Sequence, residues 1–243
     1  MLSAWLALGC HAEAAPVAAD VGPTPYPTRK EDWPGTGVIR VFDWMMDNRR
    51  AFWRQREQAR GSIVFAGDSL TASWQGLKHD FPGERIANRG IGGDVSRGLL
   101  FRFEEDVLAL DPRAVVIMIG INDLTARQPA STTLENIETM LSLALHRHPE
   151  TLVVLCTTPP TANPRAPVDG EQRALLNTGL AALAQRHQGV TLVDLSSALA
   201  TSSGAPDSRF FRDDLLHLSA AGYARWSELL VPVLRDAKVL SQP

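Results

Sequence analysis

The chain is poor in the features that would place it in several large classes. Two cysteines in 243 residues, Cys10 and Cys156, make no disulfide framework. No run beyond the first residues approaches the roughly 18 apolar positions of a spanning helix. Positive charge is not in excess: the formal charge is −3 and the isoelectric point is about 6.1. That balance removes a general electrostatic attraction to nucleic acid or to anionic membrane. Internal repeats, low-complexity tracts and heptads are absent, and His146 and His148, two positions apart, lack the spacing of metal ligands on a helix. A dinucleotide fingerprint beginning at Gly90 fails at its sixth position, which is Val95. No metal site is therefore expected.

The length suits one domain with a sizeable core. Residues 1–15 read as a leader. Leu6-Ala7-Leu8-Gly9 before Cys10 resembles a bacterial lipid-attachment site, Ala12 to Ala15 resembles an ordinary cleavage site, and no lysine or arginine precedes Arg29 to give a basic start. Export is the expectation, periplasmic, secreted or anchored through Cys10, with a cytoplasmic location if this segment is not a signal. Residues 16–40 carry Pro16, Pro23, Pro25, Pro27 and Pro34 and predict a linker or a strap lying on the domain. The domain itself is expected over residues 41–240.

Within it, Val41 to Arg60 reads as an amphipathic helix with Trp44, Met45, Phe52 and Trp53. Five short apolar runs follow: Ser62–Ala66, Arg85–Asn88, Ala114–Gly120, Thr151–Cys156 and Val190–Leu195. Helix-like stretches separate them, one carrying Leu134, Ile137, Met140, Leu141 and Leu145 with Thr132 and Glu135 as a capping box. The last helix is expected after Ser219, with Tyr223, Trp226, Leu229, Leu230 and Val233 buried and a kink at Pro232. Strands alternating with helices predict a three-layer α/β/α sandwich around a five-stranded parallel sheet. Cys156 is expected to be a small buried core residue.

The chemistry-bearing residues lie where strands end. Ile63 to Ala66 stops at Gly67-Asp68-Ser69, which puts a hydroxyl at the carboxyl edge of the sheet, where α/β proteins keep ligand sites. A serine needs a base, a group to orient the base and donors for a developing oxyanion. Asp214 lies three residues before His217, a spacing that brings the carboxylate to one imidazole nitrogen and leaves the other for a proton. Taken alone, the same residues also read as a helix cap and a surface histidine. Asn88 to Asp94 and Gly120 to Asp123 offer glycine N–H groups and the Asn122 amide, though each alone reads equally as a plain turn. The absence of a second glycine after Ser69 excludes the usual nucleophile elbow of α/β-hydrolases.

Jointly, Gly67-Asp68-Ser69-Leu70, Gly90 within Asn88–Asp94, Gly120-Ile121-Asn122-Asp123 and Asp214-Leu215-Leu216-His217 resemble the four ordered blocks of the SGNH, or GDSL-type, hydrolase superfamily. The resemblance spans about Ile63 to Val233. It is strongest to the branch that holds the platelet-activating factor acetylhydrolase catalytic subunits and bacterial acyl esterases. It implies a flavodoxin-like fold, no cofactor and a serine esterase acting on short acyl groups, acetyl above all, of a glycan or small metabolite. Ser69 is then the nucleophile, His217 the base and Asp214 its orienting acid; the backbone N–H groups of Ser69 and Gly90 and the Asn122 side chain form the oxyanion hole. Asp68 is expected to brace the Ser69 turn, to aim the Asn122 amide, or to complement a helix N-terminus. Asp94 and Asp123 are expected to brace loops. Trp74, Thr158-Pro159-Pro160 and Phe210-Phe211 line a pocket or pack in the core. An O-acetyltransferase using the same residues, or a silent carbohydrate-binding relative, are the alternatives.

Overall fold

A computed structural model describes residues 21–240. Residues 1–20, with Cys10 and the expected leader and lipid anchor, lie outside the described residues.

The five runs form strands β1 (Ile63–Gly67), β2 (Ile86–Gly90), β3 (Ala114–Met118), β4 (Leu152–Cys156) and β5 (Val190–Val193). All pair in parallel, in the order β2-β1-β3-β4-β5. Around them lie α1 (Asp43–Arg54), α2 (Ser69–Ala72), α3 (Leu77–Asp80), α4 (Ser96–Asp106), α5 (Ile121–Thr125), α6 (Ala130–Arg147), α7 (Gly170–Arg186), α8 (Leu195–Ala198) and α9 (Ala220–Asp236). None of the described helices is long and apolar enough to cross a membrane.

Successive strand residues face opposite layers. Ile63, Phe65, Val116 and Met118 join one core with Trp226, Leu230 and Leu234 of α9. Val64, Ala66, Val115 and Ile117 join a second core with α4, α6 and α7. The central strands β1, β3 and β4 read as unbroken apolar runs because both faces are covered, while the edge strand β2 carries Asn88 and Arg89 and the edge strand β5 is largely half-buried. Each fully buried Val, Leu or Ile stabilises this arrangement by about 1.5–3 kcal/mol. Cys156 is buried in the first core as expected, and burial pushes its thiol up to about 12.

Local boundaries depart from the sequence reading where tertiary contacts intervene. Helix α1 spans Asp43–Arg54, shorter than the expected 41–60, and its buried face is only Met45 and Arg49. Arg49 is held by Glu105 and Asp106 of α4, so an ion-paired guanidinium replaces the apolar stripe, and Trp44 is left 50% exposed. Helix α6 starts at Ala130, ahead of the expected capping box; the Ala130 N–H donates to Gln172 Oε1, and the Thr36 hydroxyl donates to Glu135. Helix α9 follows Ser219 as expected; the Ser219 hydroxyl, rather than Asp213 or Asp214, caps it by accepting from Gly222 N–H, and the helix continues through Pro232. His148 meets the Leu108 carbonyl at 2.9 Å.

The described part of the Pro-rich segment lies against α4 and α6. The Arg97 guanidinium donates to the carbonyls of Lys30, Trp33, Pro34 and Gly37. Asn136 exchanges two hydrogen bonds with the Thr36 backbone, and Gln128 accepts from Val38 N–H. A segment whose regular structure is a single 3-10 turn, Lys30–Asp32, thus has several of its backbone polar groups satisfied by side chains of the domain. It delivers residues 38–44 to the carboxyl edge of the sheet.

Candidate active site

Strand β1 ends at Gly67 because no side chain fits there. A Cβ on Gly67 would lie 2.1 Å from the Met118 carbonyl oxygen and 2.5 Å from Thr71 Oγ1. Asp68 caps α2 by accepting from Leu70 N–H at 2.9 Å, and Ser69 is the first helical residue. The helix is fastened from two sides: the Tyr223 hydroxyl donates to the Leu70 carbonyl and the Asn88 amide to that of Thr71, both at 2.8 Å.

The segment before α9 is shaped by Asp214. Its Oδ1 accepts from Leu216 N–H at 3.0 Å and His217 N–H at 2.9 Å, curling the chain so that Oδ2 meets His217 Nδ1 at 2.6 Å. The curl places Leu215 at φ 49°, and its carbonyl is held by Ala162 N–H and the Thr161 hydroxyl. Burial raises the Asp214 pKa, but the bonds from His217 and Leu216 outweigh it and hold the carboxyl below its usual range. A carboxylate only accepts, so Nδ1 carries the proton and Nε2 offers a lone pair. Nε2 lies 3.0 Å from Ser69 Oγ. Ser69, His217 and Asp214 are brought together as expected, in an order that can move a proton from the hydroxyl to the imidazole.

Asn122 is the second residue of α5, after Gly120, whose φ of 124° is glycine territory. Its Nδ2 donates to the Asp94 carbonyl at 2.9 Å, and its Oδ1 faces Arg40 NH1 at 3.4 Å. Arg40 also donates to Thr125 Oγ1 at 3.2 Å. The amide is thereby oriented with one Nδ2 hydrogen left over among the described residues. Asp68 does not aim it, contrary to one expectation.

Gly90, expected as the second-block donor, has its N–H engaged within its own strand. Its N–H donates to Asn88 Oδ1 at 2.9 Å. A Cβ there would lie 2.3 Å from Ala72 N, so its glycine is required by the contact of β2 with α2. The turn after it supplies free groups instead. Asp94 N–H closes onto the Ile91 carbonyl, Gly93 has φ 84°, and the N–H groups of Gly92 and Gly93 have no acceptor among the described residues. Gly92 borders the serine: a Cβ on it would sit 3.9 Å from Ser69 Cβ. The Ser69 N–H is likewise without an acceptor among the described residues.

Buried carboxylates support these loops. Asp94 accepts from Arg102 Nε at 2.8 Å, while Arg102 NH2 reaches the Gly67 carbonyl, tying the β1 end to the β2 loop. Asp123 accepts from Ser96 N–H, the Ser96 hydroxyl and Gln128 Nε2. Burial raises the Asp123 pKa to about 6 against these bonds. Asp68 is raised further, to about 8, by burial and then by the nearby Asp94 and Asp123, against the Leu70 N–H and Arg102. Its Oδ2 is buried without a partner among the described residues.

Three expected pocket elements pack in the core. Trp74 stacks with Tyr223 and Trp226 and donates to Asp80; Phe211 is buried; Thr158 is clasped by the Asn177 amide, with Pro159 and Pro160 buried beside it. Residues that sequence reasoning did not assign to the site lie at its rim: Arg40, and Trp44, whose indole N–H donates to the Gly92 carbonyl at 2.9 Å.

Comparison with known proteins gives the family. The GDSL-like Lipase/Acylhydrolase family matches residues 64–225. The human platelet-activating factor acetylhydrolase IB subunit alpha2 is 27% identical over 230 residues, covering 89% of this chain and 94% of that protein. An acetylxylan esterase of Geobacillus stearothermophilus is 39% identical over 93 residues, 37% of this chain and 41% of that one. Among solved structures, a GDSL-like lipase from Bacteroides thetaiotaomicron superposes with a TM-score of 0.67 at 25% identity, covering 76% of this chain and 98% of that one. The chain belongs to the GDSL-like lipase/acylhydrolase family. It is a carboxylic ester hydrolase with the α/β fold of that family.

Proposed function

We propose that the protein is a serine esterase that removes short acyl groups, acetyl above all, from a carbohydrate or small-metabolite alcohol. The observation that carries this is the relay from Asp214 Oδ2 to His217 at 2.6 Å and from His217 Nε2 to Ser69 Oγ at 3.0 Å. Ser69 Oγ attacks the ester carbonyl while His217 Nε2 takes its proton, and Asp214 stabilises the imidazolium. The oxyanion is received by the Ser69 N–H, the Gly92–Gly93 turn and the spare Asn122 hydrogen. His217 returns the proton to the leaving alcohol, and water repeats the sequence on the acyl-enzyme. The acetyl reading is supported by two relatives, one named as an acetylhydrolase and one as an acetylxylan esterase.

The test is a p-nitrophenyl ester series from acetyl to octanoyl, with product analysis in the presence of a glycan acceptor. Fastest turnover of acetate with free acetate as product is expected. Preference for octanoate contradicts the acyl assignment, and acetylated glycan as the main product assigns a transferase. Export through residues 1–15 is part of the proposal; mass spectrometry of the mature N-terminus, showing lipid on Cys10, a cut near Ala15 or an intact start, decides it.

A further inference from the structure

Large apolar side chains exposed at the surface are few among the described residues, and three of the five are Val41, Phe42 and Trp44. Isolated exposed apolar residues are ordinary; a contiguous group beside a reactive serine is not. The Phe42 and Trp44 rings stack, with centroids 4.5 Å apart and planes 12° from parallel. Phe42 lies over Gly93, where a Cβ would come within 2.8 Å of its ring. Trp44 is fixed by its indole N–H on the Gly92 carbonyl, and Gly92 abuts Ser69. The two rings therefore form a rigid plate, anchored on the turn that borders the serine and 37% and 50% exposed.

The chemistry of the plate favours one occupant. An aromatic face carries partial negative charge, and one face of a pyranose ring presents a flat set of weakly positive C–H groups. A sugar also needs hydrogen-bonding groups at the plate's edge. Asp43, exposed and without an ion-pair partner among the described residues, lies between the two rings in sequence, and the Asn48 amide is fastened to the Trp44 carbonyl. A long acyl chain needs an enclosing groove; a plate open to solvent covers one side only. We propose that Phe42 and Trp44 are a stacking platform for the pyranose ring of the alcohol moiety, which makes this N-terminal segment the determinant of preference for sugar esters. The proposal rests on the esterase reading above.

The experiment compares kcat/KM for glucose pentaacetate with that for ethyl acetate on the same preparations of wild type, Trp44→Ala and Trp44→Phe. The ratio of the two cancels any difference in folded fraction. In Trp44→Ala the sugar-to-ethyl ratio is expected to fall about 10-fold or more through KM. Trp44→Phe, which loses the bond to Gly92 but keeps a ring, retains most of the ratio. An unchanged ratio in Trp44→Ala overturns the platform, as does a self-association removed by Trp44→Ala with the ratio unchanged, which makes the patch a contact between copies. If wild type hydrolyses neither acetate, the esterase reading fails, and xylobiose still decides the platform by tryptophan emission. A saturable change lost in Trp44→Ala supports it; no change in wild type overturns it.

Discussion

The N–H of Gly90 donates to the side-chain carbonyl of Asn88, two residues earlier on the same strand, at 2.9 Å. The other end of that Asn88 side chain donates to Thr71 in α2, so one amide fastens strand to helix directly beneath Ser69. Gly90 is accordingly a packing residue. A methyl group there meets the Ala72 backbone at 2.3 Å, so Gly90→Ala is expected to lose roughly 1–3 kcal/mol of stability. Gly92→Ala keeps the backbone N–H and meets only ordinary contacts, at 3.9 Å from Ser69 and 4.0 Å from Trp44, so it is expected to keep its Tm and most of its esterase activity. Thermal unfolding and ester kinetics on both variants check the contrast.

Asp214 holds the Nδ1 proton of His217 and shapes the turn that presents the ring. Asp214→Asn removes the acceptor that fixes the tautomer. A fall in kcat of roughly 1,000- to 10,000-fold is expected, with circular dichroism unchanged. A loss below 10-fold would show that His217 is oriented by other means.

Asn122→Ala removes the side chain proposed as an oxyanion donor, and a loss of roughly 100- to 1,000-fold in kcat is expected with KM little changed. Arg40 faces Asn122 Oδ1 at 3.4 Å and is proposed to act through that amide. Arg40→Met is expected to lower kcat by roughly 10- to 100-fold, and in an Asn122→Ala background to add little. Independent, multiplying losses would remove Arg40 from this role.

Asp68 has a pKa of about 8 in the native protein, raised chiefly by burial. Below about pH 4 both native and unfolded forms are protonated. Between that pH and about 8 the unfolded carboxyl ionises while the native one does not, so stability falls as pH rises, and levels off above. Asp68→Asn, which preserves an acceptor for Leu70 N–H, removes this dependence. Relative to wild type it is expected to gain on the order of 1–3 kcal/mol at pH 8 and nothing at pH 4, measured by urea unfolding. An equal difference at both pH values contradicts the raised pKa.

The fold was legible because the central strands β1, β3 and β4 are buried on both faces and read as apolar runs that end at glycine or a small polar residue. Ser69, Asn122, Asp214 and His217 were legible for a related reason: each sits at a chain turn whose residue types are constrained twice, by backbone geometry and by chemistry. Gly90 misled because it meets the first constraint alone; its glycine is demanded by α2, and a sequence does not distinguish a packing glycine from a donor. Arg40, Phe42 and Trp44 were not legible as site residues. They reach the serine only because Arg97, Asn136 and Gln128 hold the preceding segment across the domain, and those side chains lie 60 to 100 positions away in sequence. For Trp74 and Phe211 the sequence left pocket lining and core packing both open, since an aromatic near a motif does either; both are buried in the core.

The central claim is that Ser69 forms the acyl-enzyme. Treating the purified protein with a fluorophosphonate and locating the adduct by peptide mass spectrometry tests it most directly. The adduct is expected on Ser69, blocked by prior turnover-inactivating substitution at His217 and absent in Ser69→Ala, with p-nitrophenyl acetate hydrolysis lost in parallel. An adduct on another residue, or undiminished hydrolysis by Ser69→Ala, would contradict the account.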